Sequence, residues 1–575
     1  MKKKISKFLC LTLCICTVLS LATVISAKEY SGTCGDGLTW TVDTDSGEMV
    51  ITGDGNMTDY THNALMIPWN NYKFYIKNVE IGPKVRSISA FAFYLCPYLE
   101  SVKIGVSVKS IGGAAFYNCT SLTELKFPNG IETMENNLCY GCTSLEKVTF
   151  SNATVKVGDS AFYGCTSLES VALPDTVEEI GAKAFSGCSS LDSVSLPSKN
   201  MKIASDAFSG TAIFKDISKR ENSVLYIGDH LINALSDVSE DYSVRENTKT
   251  VADGAFSSVF VKKLTLPEGL LRVGDYAFSS TSLKEITFPE SVEYIGVSAL
   301  SGCTSLTSVQ LPKNLNAIPD MLFSGCTALT QLTIPDTVKS IGNMAFSGCT
   351  SLRELALPAS VEAVGSSAFA GCTAISELSF PDSMSGNIPA SLCSGCTGLR
   401  SFAIWESADS ISDAAFAGCS SLNKIYIPSS ISEIGAAAFS GCNSIETVYF
   451  GGSREEWDTV SFGISNEYLT EADIVFNHEH SFEKTVIKEP GENADGLARY
   501  ECICGKYHDS KIPAYGFILG DINRDGKVNV SDSKLMRGLI VGKSAPSKNA
   551  ADMNGDGKIN ATDSSLLKKK ITGKI

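Results

Sequence analysis

One unit of about twenty-three residues repeats through most of this chain. AFYGCTSLESVALPDTVEEIG (161–181) returns as AFSGCTSLRELALPASVEAVG (345–365) and AFAGCSSLNKIYIPSSISEIG (415–435). Cysteines at 96, 119, 142, 165 and 188 stand 23 apart, and those at 303, 326, 349, 372, 396, 419 and 442 keep that step with one of 24. A unit this short cannot enclose its own apolar face, so neighbours must stack and share a continuous core. In LRELAL (352–357) the leucines are expected to point inward from a short parallel strand. Pro358 should end it, having no N–H to give to a ladder. Ala345 and Phe346 supply a small residue and a bulky core filler. About fifteen such strands at ~4.8 Å spacing span an arc of roughly 70 Å.

A period in the twenties carrying Leu-x-x-Leu-x-Leu is the leucine-rich repeat signature. Through AFxGCTSLxxVxLPxxVxxIG, from about residue 79 to 450, the array resembles the BspA-like (Treponema-type) leucine-rich repeat family. The opening SGTCGDGLTWTVDTDSGEMVITGDGNM with PWNNY resembles that family's N-terminal β cap, assigned here to 28–78. The stretch VYFGGSREEWDTVSFGISNEYLTEADIVFN (448–477) resembles its closing unit, with 451–477 as the C-terminal cap. The resemblance implies a surface or secreted binding protein, some relatives being adhesins, and no catalysis. The period lapses at 211–258, where VLYIGDHLINA (224–234) suggests a hairpin turning at Gly228-Asp229 inside one long irregular repeat.

Seventeen cysteines follow residue 27, and twelve occupy the same place in the repeat. In a stack they form a column about 5 Å apart with parallel side chains, a geometry that disfavours bridging. They are expected to be reduced, buried packing residues, which suits a reducing or oxygen-poor habitat. Cys139/Cys142 and Cys393/Cys396 form Cys-x-x-Cys pairs. The first of each stands where other repeats have the Phe of AF, so both read as core substitutions. The residues flanking the middle leucine should line the concave face. They run from Ser101/Lys103 through Glu285/Thr287 to Lys424/Tyr426 and Thr447/Tyr449, mostly Ser, Thr and Ala. Only Tyr426 and Tyr449 offer aromatic anchors for a ligand; the alternative is a cross-strand pair shielding the cap.

The first 27 residues combine Lys2, Lys3, Lys4 and Lys7 with an apolar run (8–25) closing on Ser26-Ala27. This reads as a secretory signal peptide, so the remainder is expected outside the cell. No later stretch is apolar for long enough to span a bilayer. The formal charge is −15, which argues against a nucleic-acid partner. In 515–575, eleven Lys and Arg face six Asp, a balance of +5, leaving −20 on the rest. A basic tail on an acidic body points to an acidic partner for the tail.

Between array and tail lies a small module, 478–514. His478-x-His480 and Cys502-x-Cys504 could supply four zinc ligands, or the segment could fold as a metal-free β-rich spacer. It resembles small Cys/His modules of exported Firmicutes proteins. PGENADG stands where these often have a Cys, and Phe517 where they have a His; both departures favour the spacer.

The tail, 515–575, holds DINRDGKVNVSD (521–532) and DMNGDGKINATD (552–563). Oxygen-bearing side chains at loop positions 1, 3, 5, 9 and 12 with Gly at 6 follow the EF-hand calcium pattern, except that Asp stands at position 12. The expected ligands are Asp521, Asn523, Asp525, the Lys527 carbonyl, Asn529 (through water) and Asp532. Their counterparts are Asp552, Asn554, Asp556, the Lys558 carbonyl, Asn560 and Asp563, for two calcium ions in all. Gly526 and Gly557 permit the sharp turns. Both loops with the segments SDSKLMRGLIVGK and TDSSLLKKKITGK resemble a type I dockerin, which implies docking into a scaffoldin cohesin of a cellulosome. By that resemblance Val530/Ser531 and Ala561/Thr562 face the cohesin, with Arg537, Lys568 and Lys569 following on the helices.

The resulting expectation is a leucine-rich-repeat solenoid with a β cap and a small all-α dockerin. Its function would be non-catalytic, binding a protein, cell-surface or plant-wall ligand while tethered to a cohesin. A cellulosomal polysaccharide-degrading enzyme and a free secreted adhesin are the alternatives. A facing carboxylate pair in a cleft would mark the enzyme; attachment to cells or fibres without cohesin would mark the adhesin.

Overall fold

A computed structural model describes residues 28–60, 66–489, 496–512, 522, 527–540, 551, 553 and 558–572. The signal-peptide segment 1–27 and loop residues Asp521, Asn523, Asp525, Gly526, Asp552, Asn554, Asp556 and Gly557 lie outside the described residues. The chain is a leucine-rich-repeat solenoid of about 17 turns with little helix, followed by the dockerin domain.

Each regular turn contributes to two parallel sheets. The Leu-x-x-Leu-x-Leu stretch forms a three-residue strand, as in Ser101–Lys103, Glu124–Lys126 and Lys147–Thr149, whose central side chain turns toward the core. The flanking side chains of Glu124–Lys126 and Ser170–Ala172 are exposed, the period-2 alternation of a half-buried sheet. A second sheet, which the sequence pattern did not suggest, comes from two-residue strands such as Thr133–Met134, Lys156–Val157 and Glu179–Ile180. Between Gln310 and Ser401 the first sheet departs from the expected ladder: 352–357 is not a paired strand. Leu332, Leu355 and Leu378 stay buried there, and the second sheet pairs through Ala317–Ile318, Ser340–Ile341 and Ala363–Val364. Core burial positions these turns where strand pairing does not.

The AF and Cys positions build the core. Phe323, Phe346 and Phe369 stack at 5.4 Å per step, as do Phe162 and Phe185. In most turns the Phe N–H donates to the Ala position of the next turn, as Phe346 does to the Ala368 carbonyl at 2.8 Å. From Cys119 to Cys442 the thiols of the repeating column donate backward to the Phe position of the turn before: Cys349 Sγ to the Phe323 carbonyl at 3.1 Å, Cys372 Sγ to that of Phe346 at 3.1 Å. Cys139 and Cys393 replace Phe in this column, fully buried, and their carbonyls accept from Cys165 and Cys419. All described cysteines are free and buried. The residue before each column Cys is left-handed, Leu95 and Asn118 in the first two turns and glycine in the rest, with Gly348 at φ +73°.

Both ends of the ladder are closed. The antiparallel strands Glu29–Gly35, Leu38–Asp43 and Glu48–Gly53 pass into the first sheet through parallel pairing with Asn78–Ile81. Trp69 stacks on Phe93 at 5.8 Å and donates Nε1–H to the Ala92 carbonyl at 2.7 Å. At the far end Asn466, nearly fully buried, does the work of a missing turn. Its Oδ1 accepts from the Phe439 N–H at 3.0 Å, and its Nδ2 donates to the Gly435 and Gly463 carbonyls at 2.9 Å. The irregular stretch contains the hairpin Val224–Ile227/His230–Ala234, with Gly228 at φ +58°. Among the described residues no helix is long and apolar enough to cross a membrane.

Candidate functional site

Beyond the last turn the chain folds back. Phe482–Lys488, Gly496–Cys502 and Tyr507–Ile512 form a three-stranded antiparallel sheet, and this module lies on the concave face of the final turns. The contacts are polar and charge-complementary. Arg499 Nη1 meets Glu377 Oε2 at 2.6 Å, and Lys506 Nζ meets Asp382 at 3.3 Å and Glu406 at 3.6 Å. Lys424 Nζ donates to the Ile503 carbonyl at 3.0 Å, and Ser379 Oγ to that of Tyr507. Gly505, at φ +93°, lets the module touch the solenoid: a Cβ there would come within 2.5 Å of the Ser401 Cβ.

At the centre of this contact four side chains converge. The donor atoms of His478, His480, Cys502 and Cys504 all lie within 4.8 Å of one another. Cys502 Sγ is 3.4 Å from His478 Nε2, and Cys504 Sγ is 3.4 Å from His480 Nδ1. The other nitrogen of His480, Nε2, sits 3.3 Å from Glu406 Oε1. Burial pushes the Cys504 thiol up to about 12 and holds both imidazoles below their ordinary value.

Tyr426 and Tyr449, singled out as ligand anchors, line the same place. They pair side by side on parallel strands, Lys424–Ile427 and Thr447–Phe450. Tyr426 is only 4 % exposed, its ring 4.4 Å from that of His480, and Tyr449 stands 4.8 Å from His478. The Tyr426 hydroxyl donates to Glu406 Oε2 at 3.2 Å. The chain's own module occupies the ground where an external ligand would contact Tyr426. The concave positions from Ser101 to Glu354 lie outside this cover, and most are exposed.

A second aromatic feature escaped sequence reasoning. Tyr94, Tyr117, Tyr140 and Tyr163 stack at 5.0, 4.7 and 4.6 Å in the first turns. The signal was the Tyr before each Cys unit in AFYLC, AFYNC, LCYGC and AFYGC. Their faces cover one another, so they present edges and hydroxyls rather than a platform.

In the tail, helices Val530–Ile540 and Ala561–Ile571 pack through Met536, Leu539 and Leu567 with Ile522, Ala551 and Met553. Val530 is 71 % exposed, and Ser531, Ala561, Thr562, Arg537, Lys568 and Lys569 are exposed with it. The two loops end alike. Asp532 is fully buried, Oδ1 accepting from the Ile522 N–H at 2.7 Å and Oδ2 from the Asn529 N–H at 2.9 Å. Asp563 repeats this with the N–H groups of Met553 (2.8 Å) and Asn560 (2.9 Å). Asn529 and Asn560, expected to act on calcium through water, accept from the Ser531 and Thr562 N–H groups at 2.8 Å and cap the helices. Lys527 and Lys558, at position 7 of the loops, have exposed side chains. A buried, backbone-bonded carboxylate in an oxygen-rich loop fits a hard cation such as calcium.

Solved leucine-rich repeat proteins are similar: one from Eubacterium ventriosum at 24% identity, covering 62% of this chain and 92% of its own, TM-score 0.32. A leucine-rich cell surface protein from Faecalibacterium prausnitzii shows 24% identity over 75% and 97%, TM-score 0.30. A Bacteroides ovatus protein shows 25% over 77% and 98%, TM-score 0.31. No curated protein matches. The dockerin type I domain model matches 519–572; such domains bind calcium, and a dockerin's partner is a cohesin. Leucine-rich repeat and dockerin domains are non-catalytic modules. The model for the BspA type leucine rich repeat region matches in six copies reaching from residue 70 to 489, most of the chain, which belongs to that family and carries a type I dockerin at its C-terminal end.

Proposed function

We infer that this is a secreted, non-catalytic adaptor. The cap (28–78) and array (79–450) carry a binding face, and 515–575 mounts it on a scaffoldin cohesin with two calcium ions held by 521–532 and 552–563. The observation that carries this reading is the duplicated loop end, where Asp532 and Asp563 are buried in the same hydrogen-bond pattern beneath exposed Val530/Ser531 and Ala561/Thr562. Duplication gives the partner two similar faces. Arg537, Lys568 and Lys569 add positive charge suited to an acidic cohesin.

The open concave stretch from Ser101 to Glu354 is the surface left for a protein, cell-surface or plant-wall ligand. Its exposed Ser, Thr, Lys and Glu side chains suit a polar contact of moderate affinity. Capture on immobilised cohesins tests the assignment, comparing residues 28–575 with the same chain ended at Ile512. Capture of the longer chain alone supports it; equal capture of both, or of neither, overturns it.

A further inference from the structure

The module on the last turns is too thin to hold itself together. Its first strand, Phe482–Lys488, is exposed along its length, and in Gly496–Cys502 only Gly496, Ala498 and Cys502 are buried. Units this small are ordinarily stapled by a disulfide or a metal. We propose that His478, His480, Cys502 and Cys504 bind one zinc ion in a closed tetrahedral site, and that this ion fixes residues 478–512 onto the concave face of the final solenoid turns.

Geometry argues for it first. Zinc holds thiolate sulfur at about 2.3 Å and imidazole nitrogen at about 2.0–2.1 Å, which sets the S···N edge of a tetrahedron near 3.6 Å. Two of the four S···N edges, Cys502 to His478 and Cys504 to His480, are 3.4 Å, and all four donors lie within 4.8 Å of one another. A tight turn brings the two sulfurs to one side, with the Gly505 N–H donating to the Cys502 carbonyl at 2.9 Å and the Cys502 N–H to that of Lys506 at 2.8 Å.

The surroundings argue for it next. With Nε2–H donating to Glu406, His480 turns the Nδ1 lone pair toward Cys504, the carboxylate–histidine arrangement that orients metal ligands. These thiols also differ from the column. Column thiols such as Cys349 donate to backbone carbonyls, whereas Cys502 and Cys504 face imidazole nitrogens in a cluster with Tyr426, apart from the main core. A donor set of two sulfurs and two imidazoles selects zinc over the hard cations that oxygen-lined loops take. Four protein ligands leave no open position, so the site is structural rather than catalytic.

The consequence lies in the architecture. Zinc would lock Arg499 and Lys506 against Glu377, Asp382 and Glu406, closing the C-terminal part of the concave face. This inference does not depend on cohesin docking, and its failure would leave that reading untouched.

Residues 28–575, stripped with chelator and returned to excess calcium so that the oxygen-ligand loops are filled, are titrated with zinc chloride and, separately, with cobalt(II) chloride. The expected result is about one zinc per chain and a cobalt form with tetrahedral d–d bands and a thiolate charge-transfer band. Both signals should vanish in the Cys502→Ser/Cys504→Ser double variant. Glu406→Gln should keep the spectrum while affinity falls roughly 10- to 100-fold. No uptake of zinc, an octahedral cobalt spectrum without a thiolate band, or signals unchanged in the double variant would overturn the site. Should the double variant misfold, the spectrum of the unaltered chain decides alone.

Discussion

The rings of Tyr426 and His480 lie 4.4 Å apart, centroid to centroid, so a strand of the solenoid and the segment that follows the array share one contact. The array does not simply end at its cap. Its last turns carry the next module on the face that would otherwise be open, and Glu406 ties the two together by accepting from Tyr426 and facing His480 and Lys506.

Gly505→Ala tests that seating. A methyl group would strike Ser401, and φ +93° adds backbone strain, together costing about 1–3 kcal/mol of docking. Hydrogen exchange in 496–512 should accelerate while the melting temperature of the solenoid stays the same. Unchanged exchange would mean that the close approach has no energetic weight.

The thiol column should be chemically silent. Burial holds the Cys349 thiol well above its ordinary value, and no solvent path reaches a fully buried sulfur. Native protein at pH 8 should leave Cys349 unalkylated by iodoacetamide, with modification only after denaturation, as peptide mass mapping would show. Cys349→Ala should cost about 1–3 kcal/mol, since it removes the bond to the Phe323 carbonyl and leaves a small cavity.

Asn466→Ala removes the side chain that completes the last turn. The N–H of Phe439 then lacks its acceptor, and the carbonyls of Gly435 and Gly463 each lose a donor. A loss of about 1–3 kcal/mol is expected, with exchange of the Phe439 amide rising selectively.

Asp253 gives the stability a pH dependence. Burial, with Asp275 nearby, lifts its carboxyl to about 6 in the fold, while Lys202 and Arg272 pull the other way. Because the folded value lies above the unfolded one, ionisation penalises the fold. The penalty is absent below the ordinary carboxyl value of 3.8, grows as pH rises and is complete above about 6. Asp253→Asn, whose Oδ1 can still accept from the Asp275 N–H, should stabilise the protein at pH 7 by at most about 3 kcal/mol and leave it unchanged at pH 3.5. Equal stabilisation at both values in denaturant titrations would contradict this.

The solenoid was legible in the sequence because its signal is written many times over: Phe346 and Cys349 sit in equivalent places in most turns and make equivalent contacts. The second sheet was not, since strands of two residues such as Glu179–Ile180 carry no periodicity to detect. The residue before AF is left-handed in turn after turn, at Ser160, Lys183, Met344 and Ala437, yet its identity varies, so the backbone requirement leaves little compositional trace. Tyr426 was correctly placed on the concave sheet, but not its cover, because module docking joins residues as far apart as Glu377 and Arg499. For the same reason His478, His480, Cys502 and Cys504 could be offered from sequence only as one of two readings, beside a metal-free spacer, since their convergence within 4.8 Å left no trace there.

The most direct test of the adaptor account is calorimetric titration of residues 28–575 with a panel of cohesins, in calcium and in chelator. The account predicts tight binding to at least one cohesin in calcium and none in chelator, with binding weakened when Asp532 and Asp563 are both changed to Ala. Binding that survives chelation, or no binding to any cohesin by a chain that does take up calcium, would contradict it.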